Sequence, residues 1–363
     1  MSNQCTPDID ALARELGFSC QDSPPALRLS NPFGLTNWTL PVIELLIVAG
    51  AVLALWWAVR RLRRDGDPVN LVLWCATVLY LLIVEPPLYF PAAFGVDELI
   101  GAVFAHNIFT VQFLYDRLPL YIVALYPAMA MVAYEIVRSL GIFRDRGIVV
   151  GAICVGFVHQ CFYEVFDQLG PQLQWWTWNR GNVINEPMLA SVPMASVLLF
   201  ATVGPAVLTA LVLLLVGGDR RRGTMGLALC ILVVAVLVPV SMTIVNIPIA
   251  LAGRGDPGGP LRWAVYVVYM ALFAVIALRA MLPRLRRRVT GSEVPNTFVR
   301  VFGTAYLVVL AALWVAALAG VGDGPAGNVP YTAMCFLVAA VLTAAVSVRD
   351  STAAGTEREE IAR

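Results

Sequence analysis

The chain contains no lysine: all 25 of its basic residues are arginine. That excludes Schiff-base chemistry on a lysine, and with it a retinal pigment of the ordinary kind. Charge of either sign is scarce, at 13% of 363 residues against 59% apolar. A soluble protein of this length needs a far more charged surface. The formal net charge of +1 offers nothing to a nucleic-acid partner. Histidine occurs only at His106 and His159, in no HExxH-type pair, so no metal site is expected. Also missing are DxxxD or DDxxD aspartate runs, a phosphate-binding glycine loop, a haem motif and a serine nucleophile elbow. No cofactor is expected, with Mg²⁺ reserved for the case of a diphosphate substrate. The first residues, MSNQCTPDIDALARELGF, lack a basic stretch followed by an apolar core and do not read as a signal peptide.

What is present is a succession of apolar runs of about 20 residues, the mark of a membrane protein with many spans. The expected fold class is all-α, a polytopic transmembrane helical bundle of nine spans at 37–59, 70–91, 118–139, 147–169, 187–216, 226–252, 261–282, 299–320 and 330–348. With the N-terminus outside and the C-terminus cytoplasmic, nineteen of the 25 arginines fall on the cytoplasmic side. The positive-inside rule therefore supports this count and orientation. A multi-pass protein of the cell membrane follows, with the bacterial inner membrane as the expected location. Residues 1–36 form an extracytoplasmic head, in which Asp8 or Asp10 is expected to cap a short helix ended by Gly17. Residues 37–216 carry the site, 217–348 serve as scaffold, and 349–363 read as a disordered cytoplasmic tail. The apolar segment 95–117 would invert every later arginine cluster if it crossed. A re-entrant or interfacial helix preserves the pattern and suits its His106, Asn107 and Gln112. Five cysteines lie in apolar spans as small hydrophobes, while Cys5 and Cys20 are able to pair if the head is outside.

Ionisable groups inside a bilayer are costly and mark a functional site by default. Glu44 falls in the outer half of span one. Glu85, in LLIVEPPLYF, falls in the outer half of span two, before Pro86 and Pro87, which are expected to break the helix. His159 lies near the middle of span four, with Glu164 and Asp167 further out, and Asn185 precedes span five. These groups come from different helices and gather at one depth. Glu135, in the cytoplasmic half of span three, reads as a structural partner of Arg138.

On span four, Gln160, Glu164 and Asp167 follow an i, i+4, i+7 rhythm and share one face, edged by His159 and Tyr163, with Phe166 and Leu169 turned away. Two close carboxylates in an apolar cavity cannot both ionise cheaply, so one is expected to hold a proton as a general acid must. The candidate catalytic residues are Glu85, Glu164, Asp167, His159 and Glu44. The candidates for holding a substrate are Trp175, Trp176, Trp178, Tyr163, Gln160, His106 and Asn185. Each has a plainer alternative: interhelical hydrogen bonds for the carboxylates, packing for His159, an interfacial belt for the tryptophans.

Carboxylic acids in a lipid-accessible aromatic pocket suit protonation chemistry on a hydrophobic isoprenoid or polyene drawn from the bilayer, as a cyclase or hydratase. A proton-coupled transporter would use the same carboxylates as relays, and a membrane scaffold would bury them against a partner. The stretch IVEPPLYF is similar to the proline–glutamate–aromatic segments of integral-membrane lycopene cyclases. YDRLPLYIVALYPAMAMVAYE, YEVFDQLGPQLQWWTWN and NEPMLASVPMASVLLF resemble the ordered blocks of membrane carotenoid 1,2-hydratases. The chain departs from that pattern with LGPQ and NEPML, where an Asp-Pro pair and a GVP-type entrance stand. The resemblance covers roughly residues 75–200 and implies roles for Glu85, Asp167, Trp176 and Trp178.

Overall fold

The computed structural model describes residues 5–218, 222–288 and 295–347, without the side chains of 287 and 288. The expected tail and its arginines, together with Arg220 and Arg221, lie outside the described residues. The chain opens with α1 (Pro7–Glu15) and β1 (Leu27–Leu29), then enters α2 (Thr39–Asp65) and α3 (Val69–Tyr89). After α4 (Asp97–Ile100) come β2 (Phe104–His106), β3 (Val111–Phe113) and β4 (Leu118–Pro119). Helices α5 (Leu120–Ser139) and α6 (Ile142–Asp167) follow, then β5 (Trp176–Trp178), β6 (Met188–Leu189) and β7 (Val192–Pro193). The chain finishes with α7 (Ser196–Val216), α8 (Thr224–Ala252), α9 (Pro260–Arg288), α10 (Val299–Leu318) and α11 (Val329–Ser347). Nine helices among the described residues are long and apolar enough to cross a membrane. The fold is a polytopic helical membrane bundle with a cap of short strands on its outer side.

Two helices form the centre. α5 and α6 are the most enclosed spans, joined by a tight turn at Gly141, whose φ of 72° is open to glycine at no steric cost. α6 packs against α5, α7, α9 and α11, whereas α8 and α9 expose Leu229, Ile244, Val267 and Leu272 where lipid is expected. Glu135 on α5 accepts from Asn70 (2.7 Å) and Asn296 (2.7 Å) and pairs with Arg138 (2.7 Å). This buried carboxylate ties α3, α5 and the entrance of α10 together, as its structural reading anticipates.

Three expectations need correction. Segment 95–117 holds no re-entrant or interfacial helix beyond the four residues of α4. Instead β2 pairs with β5, and β3 pairs with β1 and β4. Its polar side chains tie loops together: Asn107 Nδ2 donates to Gln174 O (2.7 Å), and Gln112 Nε2 to Asn107 O (2.8 Å). Pro86 and Pro87 do not break α3. They sit in its last turn, and the helix ends at Tyr89. Span five starts at Ser196 rather than 187, because residues 188–193 pair as β6 and β7 before the helix begins.

The head is covalently closed by a Cys5–Cys20 disulfide, which fits an oxidising outer compartment. Ile9, Leu12 and Ala13 of α1 and Leu16 just after it pack with Cys20, Ala102 and Ala105 into a small separate core. Neither aspartate caps α1. Asp10 accepts from Arg14 (2.8 Å), Ser19 (3.0 Å) and the Cys20 amide (3.2 Å), closing the head instead.

Cys20→Ser is expected to destabilise the head by about 3 kcal/mol, the chain-entropy value for a loop of this length. Hydrogen exchange should then rise across residues 5–22 while α5 and α6 keep their protection. An unchanged head, or equal loosening of the whole bundle, would contradict the separate core.

Candidate functional site

The site is built on a two-stranded ribbon. β2 and β5 run antiparallel with Phe104 opposite Trp178 and His106 opposite Trp176. Because side chains alternate along a strand, these four share one face. That face is the outer wall of a cavity of about 90 Å³. The opposite face carries Ala105, which enters the head core, and Thr177, which donates to Glu15 of α1 (2.9 Å). Gly170, just after α6, makes room for Trp176: a Cβ there would meet its ring at 1.9 Å.

The other walls come from four spans. α3 contributes Glu85 and Leu88, α5 contributes Ile122 and Tyr126, and α6 contributes Tyr163, Phe166 and Asp167. Ala195, Ser196 and Phe200 at the entrance of α7 complete the enclosure. Leu88, Tyr126 and Phe200 of this lining are only half-buried.

Several polar atoms of the lining residues have no hydrogen-bond partner. Tyr126 donates to Glu85 Oε1 at 2.7 Å, while Oε2 makes no hydrogen bond, with the Tyr89 hydroxyl nearby. Ser196 donates to Asp167 Oδ2 at 2.7 Å, and Oδ1 is unpartnered. The indole N–H groups of Trp176 and Trp178 are buried without acceptors. His106 stands between Tyr89 (Nε2, 3.4 Å) and Tyr121 (Nδ1, 3.3 Å). Burial pushes its pKa down to about 3, so it is a neutral imidazole that donates to one tyrosine and accepts from the other. No basic side chain other than this neutral ring lines the cavity.

The cavity gathers Glu85, Asp167, Tyr163, His106, Trp176, Trp178 and Asn185 of the sequence candidates. Asn185 is occupied in holding the wall, donating to Val103 O and Asn179 O (both 2.8 Å). The remaining five lie elsewhere. Glu44 accepts from the amides of Thr110 (2.9 Å) and Val111 (3.1 Å), anchoring β3 to α2. Trp175 is fully buried and donates to Thr39 (2.9 Å). His159 stacks on Tyr163 and donates through Nδ1 to Ala201 O (2.7 Å), a carbonyl in the π-helical first turns of α7.

The expected shared face on α6 is divided. Gln160 donates to Tyr331 of α11 (2.8 Å), and Glu164 accepts from Gln168 (3.1 Å) beside Tyr331 and Cys335. At about 100° per residue, Tyr163, Phe166 and Asp167 centre roughly 90° around the helix from Gln160 and Glu164. Asp167 belongs to that second stripe, and Phe166, read as turned away, lines the cavity. Tyr126, Ser196, Tyr89 and Tyr121 went unnoticed as site residues. The available sign was a hydroxyl-bearing residue within an apolar run at the depth of Glu85.

Fold and site together define a polytopic helical membrane protein with an acidic, aromatic-walled cavity in its outer half. Comparison with protein-family models, curated proteins and solved structures gives no match. One cluster outside the cavity has metal-ligand spacing, Cys5 with Asp10 and Cys20, but its two sulfurs are bonded to each other.

The neutral His106 gives the ribbon a pH dependence. Unfolded, it titrates near 6.5; folded, near 3. Between those values only the opened state takes up the proton, so ribbon stability is full above 6.5 and lost as pH falls. The loss should reach about 1.4 kcal/mol per pH unit. Hydrogen exchange at 104–106 and 176–178 reports it, as the difference between wild type and His106→Phe. Equal pH slopes in the two proteins would contradict the assignment.

Proposed function

We propose that this chain is a membrane enzyme acting by proton transfer on a hydrophobic isoprenoid or carotenoid-like chain that enters from the bilayer, as a cyclase or hydratase. The reading rests on one observation: Glu85 and Asp167 meet at one aromatic-walled cavity, each with a carboxyl oxygen that no protein group holds. Asp167, in its acid form, gives its proton to the less substituted carbon of a carbon–carbon double bond. The π electrons form the new C–H bond and leave a tertiary carbocation, which the faces of Tyr163, Phe166 and Trp176 stabilise. In hydration, water adds to the cation and Glu85 takes its proton. In cyclisation, a second double bond attacks the cation and Glu85 removes a proton from the ring. One proton leaves Asp167 and one reaches Glu85, so it must return before the next turnover.

The space of about 90 Å³ suits one end of such a chain. The lining has no basic side chain for a diphosphate, which favours a substrate without one and a reaction that uses no Mg²⁺. A proton-coupled carrier would need the polar line to continue inward. A second void of about 20 Å³ lies next to Tyr126 and Tyr163, lined by Thr77 and His159. The next carboxylate beyond it, Glu135, already holds Asn70, Asn296 and Arg138, which favours the enzyme.

Lipid extracts from cells with and without the protein test the reading by mass spectrometry. The wild type should change the isoprenoid or carotenoid profile. Asp167→Asn and Glu85→Gln should each lower product formation by about 10²–10⁴-fold, the usual contribution of a general acid or base. An unchanged profile, or full activity of Asp167→Asn, would overturn the reading.

A further inference from the structure

The lining of the cavity has a lopsided charge. It contains two carboxyl groups, a histidine that burial keeps neutral, and no arginine. The nearby Arg117 lies over the Phe90 ring, at 5.9 Å, and is not part of the lining. Two other buried carboxylates have cationic or backbone donors, since Asp116 pairs with Arg28 at 2.9 Å and Glu44 holds two amides, while Glu164 has only the Gln168 side-chain amide. Burying acidic groups without a counter-charge is unfavourable, and a positive ligand between them removes that penalty. The remaining walls are aromatic: Phe104, Tyr126, Tyr163, Phe166, Trp176 and Trp178. Ring faces attract cations, most strongly where water is excluded.

We propose that this cavity is a binding site for a small ammonium group carried on an apolar chain, with Glu85 and Asp167 as its anionic partners. The two carboxyl groups supply its acceptors and the rings its cage. The volume admits a compact headgroup, and the half-buried Leu88 and Phe200 form the side of the lining where an attached chain would leave. The inference rests on the same acid–base pair as the reaction proposed above, though not on the reaction. A stable ammonium ion would occupy the place of the carbocation.

The test uses the full-length protein in vesicles of zwitterionic lipid. Dodecyltrimethylammonium, dodecanol and dodecyl sulfate are added at equal membrane concentrations below those that disrupt the vesicle. Binding is read as the part of the tryptophan fluorescence change that disappears in Trp178→Phe. The ammonium should saturate at a concentration at least about tenfold below dodecanol, from its charge-assisted contacts, and dodecyl sulfate should give no saturable change. The double variant Glu85→Gln/Asp167→Asn should raise the ammonium half-saturation by at least about tenfold while leaving dodecanol unchanged. Equal half-saturation for ammonium and alcohol in the wild type would overturn the inference, and that comparison does not depend on any variant folding. So would a correctly folded double variant that binds the ammonium as the wild type does. Saturable ammonium binding with an unchanged isoprenoid profile removes the proposed reaction and keeps this site. A changed profile without ammonium preference removes this inference alone.

Discussion

A carboxyl group inside a bilayer-spanning bundle must find partners for both of its oxygens within the protein, and this fold shares them out unequally. Glu135 receives two asparagine amides and an arginine, and Glu44 receives two backbone amides. Both act as joints, one between spans and one between a span and the outer cap. Glu85 and Asp167 receive one hydroxyl each, from Tyr126 and Ser196. Their second oxygens have no hydrogen-bond partner, and both residues line the cavity. Glu164 Oε1 is also unpartnered, but it faces the packed side chains of α11 rather than a cavity. What separates joint from candidate reactant is therefore the neighbour of the second oxygen.

That open space exists because a strand ribbon, rather than a helix, closes the outer end of the bundle. Alternation along β2 and β5 sends His106, Trp176 and Trp178 inward and leaves Ala105 and Thr177 to bind the head. The head thus holds the wall from behind without touching the cavity's polar centre. At the other wall, the first turns of α7 are π-helical, which brings Ser196 to Asp167 and frees the Ala201 carbonyl for His159. Such turns recur near functional sites because they displace side chains from regular helical spacing.

Much of this was legible in the sequence. Long apolar runs and arginine placement predict nine spans, because hydrocarbon thickness and membrane charge asymmetry act on local stretches. The rotation of α6 was not legible, since a hydrophobic helix has no polar stripe strong enough to tell which face meets α11 and which meets α3 and α5. Glu44 and Trp175 were read as site residues because depth alone says nothing of a backbone amide or a threonine hydroxyl arriving from a distant loop. The ribbon was missed because VFAHNIFTVQF is apolar enough for a helix, and its pairing partner lies 70 residues further along the chain.

Glu85 and Asp167 line the cavity, and Glu164 and Glu135 do not. A membrane-soluble carbodiimide reacts with carboxyl groups it reaches from the hydrocarbon phase, and peptide mass mapping locates each adduct. The account predicts adducts at Glu85 and Asp167, protection of both by an occupying ammonium amphiphile, and none at Glu164 or Glu135. Modification of Glu164 with Glu85 and Asp167 untouched would contradict it.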